Sequence, residues 1–292
     1  MPVYCIYGLS VESNLDLSDV DAGHPGICDM RLHVSFAEMP PVQPIRILES
    51  EQWLTIELFP FAVYRLSRHS NDVFCQAADY ESFYSTFFNL PFSVFLVQRG
   101  DLLLHASSLV HSQTGELLAF AGQKGVGKST LVQLLCGETY QIYADDTLRI
   151  PMDTSMGFRG NSLLKITPET SALIQGRLQL TGHQNAVGKN YAAIPTDSRQ
   201  RQIRAIVQLA RTSDASFSIR PVNTPLQRTQ IICRHLTGIP FWTASMIQKV
   251  MQLVKSVEIP VYSMRIPDSL HWLEQQTPDI RSALEQVTNE IP

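Results

Sequence analysis

The chain has 292 residues, a length that commonly corresponds to about two domains. Its composition, 44% apolar and 17% charged, is sufficient for a buried core and excludes a wholly disordered protein. The longest apolar stretch, 87–97, contains Asn89 and Pro91 and is too short to cross a bilayer, so we expect no membrane helix. The N-terminus lacks the pattern of a signal peptide, and the five scattered cysteines predict neither a disulfide framework nor a zinc site. We therefore expect a cytoplasmic location.

Charge is divided unevenly along the chain. Residues 1–100 carry a net charge of −7 and residues 101–292 carry +3, which together give the overall −4. The basic excess lies in 161–235, and such a segment either attracts phosphates or an acidic partner, or forms an ordinary solvated face. Few aromatic residues accompany these arginines and no nucleic-acid motif is present, so we expect no nucleic-acid partner.

Residues 1 to about 75 have the pattern of a β-rich region. The proline-rich stretch Glu38–Pro44 is expected to be a surface loop. Short apolar runs separated by turn-like stretches predict strands at Val3–Tyr7, Ile45–Leu48, Leu54–Leu58 and Ala62–Leu66.

An amphipathic helical pattern follows from Tyr80 to Gln98. Pro91 is expected to kink or split this helix, because proline lacks the amide donor that a helix interior needs. We place the domain boundary inside or just before this helix, and assign a β-rich N-terminal domain to 1–78 and a larger domain to 79–292.

After Gly100 the pattern becomes that of an α/β domain. An order of strand, glycine-rich turn, helix and strand is typical of such folds. The first part predicts strands at 102–110 and 116–122, a helix at 130–137 and a strand at 141–150. The rest predicts a helix opening at Thr167–Pro168, a loop or hairpin over 181–197, strands at 203–209 and 261–266, and helices at 241–254, 269–276 and 278–287.

Residues 122–129, GQKGVGKS, match the phosphate-loop pattern G-x-x-x-x-G-K-[ST] between a predicted strand and a predicted helix. Glycines let the backbone wrap around a phosphate with its N–H groups pointing inward, and the helix N-terminus adds partial positive charge. Lys128 places an ammonium on the outer phosphates, Ser129 offers a hydroxyl to Mg²⁺, and Lys124 either touches phosphate or faces solvent. The predicted nucleotide site comprises Gly122, Gln123, Lys124, Gly125, Val126, Gly127, Lys128, Ser129 and Thr130.

Two acidic residues, Asp145 and Asp146, end the next apolar stretch. Because α/β sheets place ligands at the ends of strands, we expect this pair beside the phosphate loop. One carboxylate is suited to hold Mg²⁺ and the other to accept a proton from an attacking hydroxyl, while the alternative is a turn with a helix N-cap. Only 16 residues separate Lys128 from Asp145, so the acid-bearing strand directly follows one short helix.

His105 lies in the strand predicted before the phosphate loop. A lone histidine is commonly structural, but if this strand lies beside the loop, the ring reaches the reacting phosphate or a carboxylate. The other histidines considered show no metal-ligand spacing and are expected to be structural: His111, His183, His235 and His271.

The order of His105, the phosphate loop and Ala144–Asp146 resembles the catalytic domain of the HPr kinase/phosphorylase family of bacterial protein serine kinases. The wider pattern is closer to a branch of HPr-kinase-like proteins found beside peptide-maturation genes, on the evidence of Tyr7–Leu9 with Ser13 and of Leu96 through Ser107. Some members of that branch phosphorylate a lasso-peptide precursor at a serine near its C-terminus. The resemblance is strong over about 95–150 and weaker over 1–20 and 155–270.

The resemblance implies an α/β fold, in which a P-loop HPr-kinase-like catalytic domain follows a smaller β-rich (α+β) N-terminal domain. It implies that Asp145 is the catalytic base, Asp146 a Mg²⁺ partner together with Ser129, and His105 a polar helper near the transferred phosphoryl. Lys128 is the third catalytic residue that it implies. Lys189 falls where these relatives have a loop lysine, which implies contact with phosphate or substrate. The glycine-rich C-terminal signature for HPr recognition is not evident, which disfavours HPr as substrate and phosphorylase activity.

We therefore expect a kinase that transfers the γ-phosphoryl of Mg·ATP to a serine of a peptide or protein, with a lasso-peptide precursor as the first candidate. An HPr(Ser) kinase acting on a folded carrier protein, a small-molecule kinase and a nucleotide-dependent regulatory module that phosphorylates nothing are the alternatives. Relatives that form rings also imply a homo-oligomer.

Overall fold

The computed structural model describes residues 1–17, 28–88, 90–151, 154–159, 163–166, 180–184, 190–193, 199–237, 244–256 and 259–290. The contacts between Cα atoms divide the chain into two compact units, Met1–Leu103 with Leu236–Val254, and Leu104–His235 with Lys255–Pro292. Both units are rich in strands, which gives a mixed α/β protein. None of the helices described combines the length and the apolar character that a membrane span requires.

The first unit contains a seven-stranded sheet in the order β1-β2-β3-β7-β6-β5-β4. Strands β2, β3 and β7 pair in parallel, and the other neighbours are antiparallel. The four strands predicted here are confirmed, while β2, β3 and β7 had not been predicted. The strands are β1 (Val3–Ile6), β2 (Leu9–Ser13), β3 (Met30–Phe36), β4 (Arg46–Glu49), β5 (Trp53–Leu58), β6 (Ala62–Ser67) and β7 (Asp72–Ala77).

Two helices, α1 (Tyr80–Phe87) and α2 (Leu90–Arg99), belong to the same unit. Asp79 caps α1 by accepting a hydrogen bond from the Ser82 amide over 2.7 Å. The predicted split at Pro91 is confirmed, since this residue lies in the first turn of α2, where its missing amide costs little. The boundary at 78/79 stays a prediction, and the contacts group both helices with the N-terminal sheet.

The elements that follow along the chain are mostly strands. They are β8 (Leu102–Leu104), β9 (Ala106–His111), β10 (Leu117–Ala121), α3 (Lys128–Leu135), β11 (Tyr140–Ala144), β12 (Leu148–Ile150), β13 (Met156–Arg159), β14 (Leu163–Ile166), β15 (Leu180–Gln184), β16 (Asn190–Ala193), β17 (Arg201–Thr212), β18 (Ser218–Pro221), α4 (Pro225–Arg234), α5 (Ala244–Ser256), β19 (Val261–Pro267) and α6 (Leu270–Glu290).

The main sheet of the second unit contains the order β11-β9-β10-β17. Strand β17 runs parallel to β10 and to β19, whereas β9 is antiparallel to both β10 and β11. A small separate sheet has the order β14-β16-β15, in which β15 and β16 pair antiparallel, as expected for a hairpin within 181–197. The helix predicted to open at Thr167–Pro168 lies outside the described residues.

Helices α3 and α6 cover this sheet with apolar side chains. Their buried residues form one core with Phe120 and Val207 of the sheet, namely Leu131, Leu135, Leu273, Ile280 and Leu284. The prediction of two helices at 269–276 and 278–287 is wrong, because α6 continues through Pro278. The buried stripe runs unbroken across this proline, so its packing outweighs the loss of one helical hydrogen bond.

The single strand predicted over 141–150 is also wrong. Strands β11 and β12 are separated by a bend at Asp145–Asp146. Asp146 has a φ of 74°, a left-handed conformation that a regular strand cannot contain. The two acids therefore lie at a turn.

Candidate active site

Strand register brings the predicted site residues to one edge of the sheet. Ala106 of β9 pairs with Ala121 of β10, so His105 and Gly122 come next at that edge. Ala144 of β11 pairs with Ser108 of β9, which brings Asp145 beside them. The strand that follows His105 therefore pairs with the strand that leads into the phosphate loop, which is the condition on which a role for His105 depends.

The phosphate loop uses glycines where its backbone demands them. Gly125 and Gly127 have φ angles of 83° and 100°, which L residues with a side chain rarely adopt. A Cβ atom at Gly122 would stand 2.7 Å from the Val126 Cγ1 atom and 3.1 Å from the Leu209 carbonyl oxygen. Gly127 also forms the N-cap of α3, so the loop leads directly into the helix N-terminus.

The ammonium of Lys128 lies inside the loop. Its Nζ atom donates to the carbonyl oxygens of Gly122 and Gln123, over 3.0 and 3.4 Å. It also lies 3.1 Å from the Nε2 atom of His105. Lys128 is buried, whereas Lys124 is exposed, as expected for a side chain that faces solvent.

The contacts of His105 define its protonation. Nδ1 lies 2.8 Å from the carbonyl oxygen of Asp146, which only accepts, so Nδ1 carries the proton. Nε2 then accepts from the ammonium of Lys128. Burial and the charge of Lys128 lower the pKa of His105, and the nearby Asp146 carboxylate opposes them only in part. His105 is therefore a neutral imidazole that links Lys128 to the acidic turn.

The two aspartates have different surroundings. Asp145 is only 2% exposed, and its Oδ1 atom accepts hydrogen bonds from Ser107 over 2.6 Å and from Ser129 over 2.8 Å. The side chain of Asp146 is 38% exposed, and its Oδ1 atom lies 3.4 Å from Nδ1 of His105. The Asp145 carboxylate is therefore buried and hydrogen-bonded, whereas the Asp146 carboxylate reaches solvent.

These oxygens fit a magnesium ion in chemical type. Ser129 and Asp145 supply a hydroxyl and a carboxylate, which are hard ligands, and Mg²⁺ in nucleotide sites takes its remaining ligands from water and phosphates. Among the residues that the structure describes, no cluster of three or more His, Cys, Asp or Glu side chains forms a complete metal cage.

His235 lies beside the site although its sequence context predicts a structural role. Its carbonyl oxygen accepts from the His105 amide over 2.7 Å. The imidazole is buried, and its Nε2 atom has no hydrogen-bond partner within the described part of the chain. Burial and the charges of Lys128 and Arg234 lower the pKa of His235 to about 4. This histidine is neutral at pH 7.

Sequence reasoning gave no role to Ser107, although this residue ends the Leu96–Ser107 pattern and stands two residues after His105. Thr130 lies in the first turn of α3, as predicted. Lys189 lies outside the described residues, so its contact with phosphate or substrate stays a prediction.

No protein-family model matches the chain. Over 90 residues it is 32% identical to CcmA of Nitrosococcus oceani, a cytochrome c biogenesis ATP-binding export protein, and this match spans 31% of the chain and 35% of the relative. A solved HPr(Ser) kinase/phosphatase from Coxiella burnetii matches 63% of the chain and 98% of its own length, with 15% identity. The TM-score of 0.31 is too low to support a shared fold. The chain thus spans about a third of the curated relative, and neither match establishes its family.

Proposed function

We propose that the protein is a kinase that transfers the γ-phosphoryl of Mg·ATP to a serine hydroxyl of a peptide. The observation that supports this most is the hydrogen bond from Ser129 to Asp145 beside a second, exposed carboxylate at Asp146. A site that only binds a nucleotide has no need of a second acid at the surface. A kinase uses one to receive the proton of its acceptor, and an ATPase uses one to activate water, so the acceptor assay below distinguishes these two activities.

Phosphoryl transfer depends on alignment and on neutralising charge. In the proposed reaction, the bond between the serine oxygen and the γ-phosphorus forms while the bond to the β–γ bridging oxygen breaks, so ADP leaves. The serine proton passes to a carboxylate. The Lys128 ammonium and the amides of the phosphate loop would stabilise the negative charge on the phosphates.

The resemblance implies that Asp145 is the base and that Asp146 binds Mg²⁺. The geometry favours the reverse assignment. Asp145 is buried and already accepts two hydroxyl hydrogen bonds, so it is poorly accessible to an incoming serine. Asp146 is accessible and is held by His105 through its carbonyl oxygen. We propose that Asp146 accepts the serine proton and that Asp145 with Ser129 would hold Mg²⁺. When bound, the metal would neutralise charge on the phosphate oxygens.

His105 would act as a positioning residue in this scheme. Its Nδ1 proton fixes the turn at Asp146, where φ is 74°, and its Nε2 atom orients Lys128. Strained backbone of this kind persists where neighbouring contacts hold it in place. The neutral His105 ring would thus hold the Asp146 carboxylate and the Lys128 ammonium in fixed positions relative to each other.

A lasso-peptide precursor is the proposed substrate, on the strength of the resemblance carried by Tyr7–Leu9 and by Leu96 through Ser107. The test incubates the purified chain with Mg²⁺ and radiolabelled ATP, with a precursor peptide ending near a serine or with HPr as acceptor. Label on the peptide that disappears when its serine becomes alanine supports the proposal. Label on HPr alone indicates a carrier-protein kinase, and ADP without any labelled acceptor indicates a regulatory module.

A further inference from the structure

Arg211 lies at the same edge of the sheet as the phosphate loop. Strand β17 is parallel to β10, and Gln208 pairs with Ala121, the residue before the loop. The carboxyl ends of parallel strands meet at one edge of a sheet, so Arg211, three residues further along β17, projects beyond the level where the loop begins. No phosphate-loop motif includes this residue.

The guanidinium of Arg211 is anchored on one side and faces the loop on the other. Its Nη1 atom donates to the carbonyl oxygens of Pro267 and Asp268, over 2.7 and 3.2 Å. Its Nη2 atom is the nitrogen that faces Gly127, since a Cβ atom added there would stand 2.6 Å from Nη2 and 3.3 Å from Cζ. The absence of a side chain at Gly127 therefore allows the cation to approach the loop.

The charges around Arg211 favour an anionic ligand. The guanidinium of Arg211 is a cation, and no carboxylate forms an ion pair with it among the residues described. The neighbouring N-terminus of α3 adds partial positive charge, and the ammonium of Lys128 follows one residue after Gly127. A phosphate is an anion that this combination recognises, because arginine pairs well with phosphate oxygens.

We propose that Arg211 is a second cationic ligand of the nucleotide's polyphosphate, which it would contact through Nη2 beside Gly127. This inference rests on the nucleotide site of the proposed function. With its carbonyl anchors on Nη1, the guanidinium is held in place before a phosphate arrives, so little side-chain entropy is lost on binding. Through Arg211, strand β17 would contribute to phosphate binding.

A purely structural role, in which Arg211 only ties the end of β17 to the residues around Pro267, makes a different prediction. Such a role would lower the melting temperature of a variant without a selective effect on phosphate binding. Isothermal titration with Mg·ATP and with inorganic tripolyphosphate separates the two, because tripolyphosphate contains the phosphates alone. The variants are Arg211→Gln and the charge-retaining Arg211→Lys.

Arg204→Gln is the matched control. Arg204 lies on the same strand, and its Nε and Nη2 atoms also donate to a backbone carbonyl, that of Thr288, over 3.1 and 2.8 Å. It is seven residues and therefore about 23 Å from Arg211 along the strand. Arg204→Gln therefore removes an anchored arginine but no group at the phosphate loop.

We expect Arg211→Gln to weaken tripolyphosphate and Mg·ATP binding by about 10-fold, Arg211→Lys by about 3-fold, and Arg204→Gln to leave both unchanged. Equal affinity in wild type and both Arg211 variants overturns the inference, as does an equal loss in Arg204→Gln. Should Arg211→Gln fail to fold, the Lys variant decides alone. Lys128→Ala separates the two proposals, because wild-type affinity in that variant contradicts the nucleotide site itself.

Discussion

The Ser129 hydroxyl donates a 2.8 Å hydrogen bond to Oδ1 of Asp145, a carboxylate that is 2% exposed. This contact joins the last residue of the phosphate loop to the turn that follows strand β11. It also separates Asp145 from its neighbour Asp146, whose side chain reaches solvent. The two adjacent acids are therefore expected to respond differently to the same substitution.

Replacing either acid by asparagine tests their proposed roles. Asp146→Asn is expected to lower the transfer rate by at least about 100-fold while Mg·ATP still binds, because it removes the proton acceptor. Asp145→Asn is expected to raise the Mg²⁺ concentration needed for half-maximal rate by about 10-fold, because it removes a charged metal ligand. The measurements are calorimetry with Mg·ATP and transfer rates over a series of Mg²⁺ concentrations.

Asp214→Asn is the control for this pair, since Asp214 is an exposed acid of the same unit that accepts from Thr212. It is expected to behave as wild type. Near-normal transfer by Asp146→Asn, together with a transfer rate in Asp145→Asn that stays at least about 100-fold low even at saturating Mg²⁺, would restore Asp145 as the base.

Two neighbouring serines of β9 provide a test of the hydrogen bond from Ser107 to the buried Asp145 carboxylate. Ser107→Ala is expected to destabilise the protein by about 1 to 3 kcal/mol, because it removes a 2.6 Å hydrogen bond to the buried charge of Asp145. The hydroxyl of Ser108 is buried without a hydrogen-bond partner among the described residues, so Ser108→Ala is expected to be neutral or slightly stabilising. Urea unfolding of both variants measures the difference, and equal losses would contradict the assigned contact.

Alanine substitutions at two glycines of the phosphate loop distinguish the energetic cost of backbone strain from that of a steric clash. Gly125→Ala introduces a side chain at a φ of 83° with no atom within 4 Å, so it is expected to cost about 1 kcal/mol of unfolding free energy. Gly127→Ala adds the contact with Arg211 to a φ of 100°, and we expect a cost of about 2 to 4 kcal/mol. Thermal and urea unfolding measure both, and a smaller loss at Gly127 than at Gly125 would show that the guanidinium moves away freely.

His235 predicts a pH dependence of stability. Its folded-state pKa of about 4 lies below the ordinary 6.5, so the unfolded chain binds an additional proton between these values. The stability that His235 contributes is complete above pH 6.5 and is lost as the pH falls toward 4. The loss from this group is about 3 kcal/mol.

Urea unfolding of wild type and His235→Gln at several pH values measures that loss, because the variant keeps the other titrating groups. Between pH 7 and pH 4, the unfolding free energy of wild type is expected to fall by about 3 kcal/mol more than that of His235→Gln. His271→Gln, at an exposed histidine, controls for the loss of a surface imidazole. A difference that is constant with pH would contradict the buried neutral state.

Local patterns predicted much of this molecule. The phosphate loop was evident from its glycines, lysine and serine, since each is required by backbone geometry or charge within eight consecutive residues. Short apolar runs predicted strands such as β5 and β10, and Pro91 predicted the break between α1 and α2. In these cases the cause lies within a few residues of the effect.

Tertiary structure decided what depends on residues far apart in the chain. Pro278 stays within α6 because its neighbours pack on a sheet that local sequence does not show. Asp145 and Asp146 are identical side chains in adjacent positions, but the hydroxyls of Ser107 and Ser129 donate to buried Asp145, whereas exposed Asp146 lies beside His105. Arg211 reaches the loop because β17 lies parallel to β10, a pairing between strands some 90 residues apart. The sequence by itself therefore determined the chemistry of the site, whereas the assignment of each side chain to a role depends on strand register and burial, which arise only when the distant segments pack together.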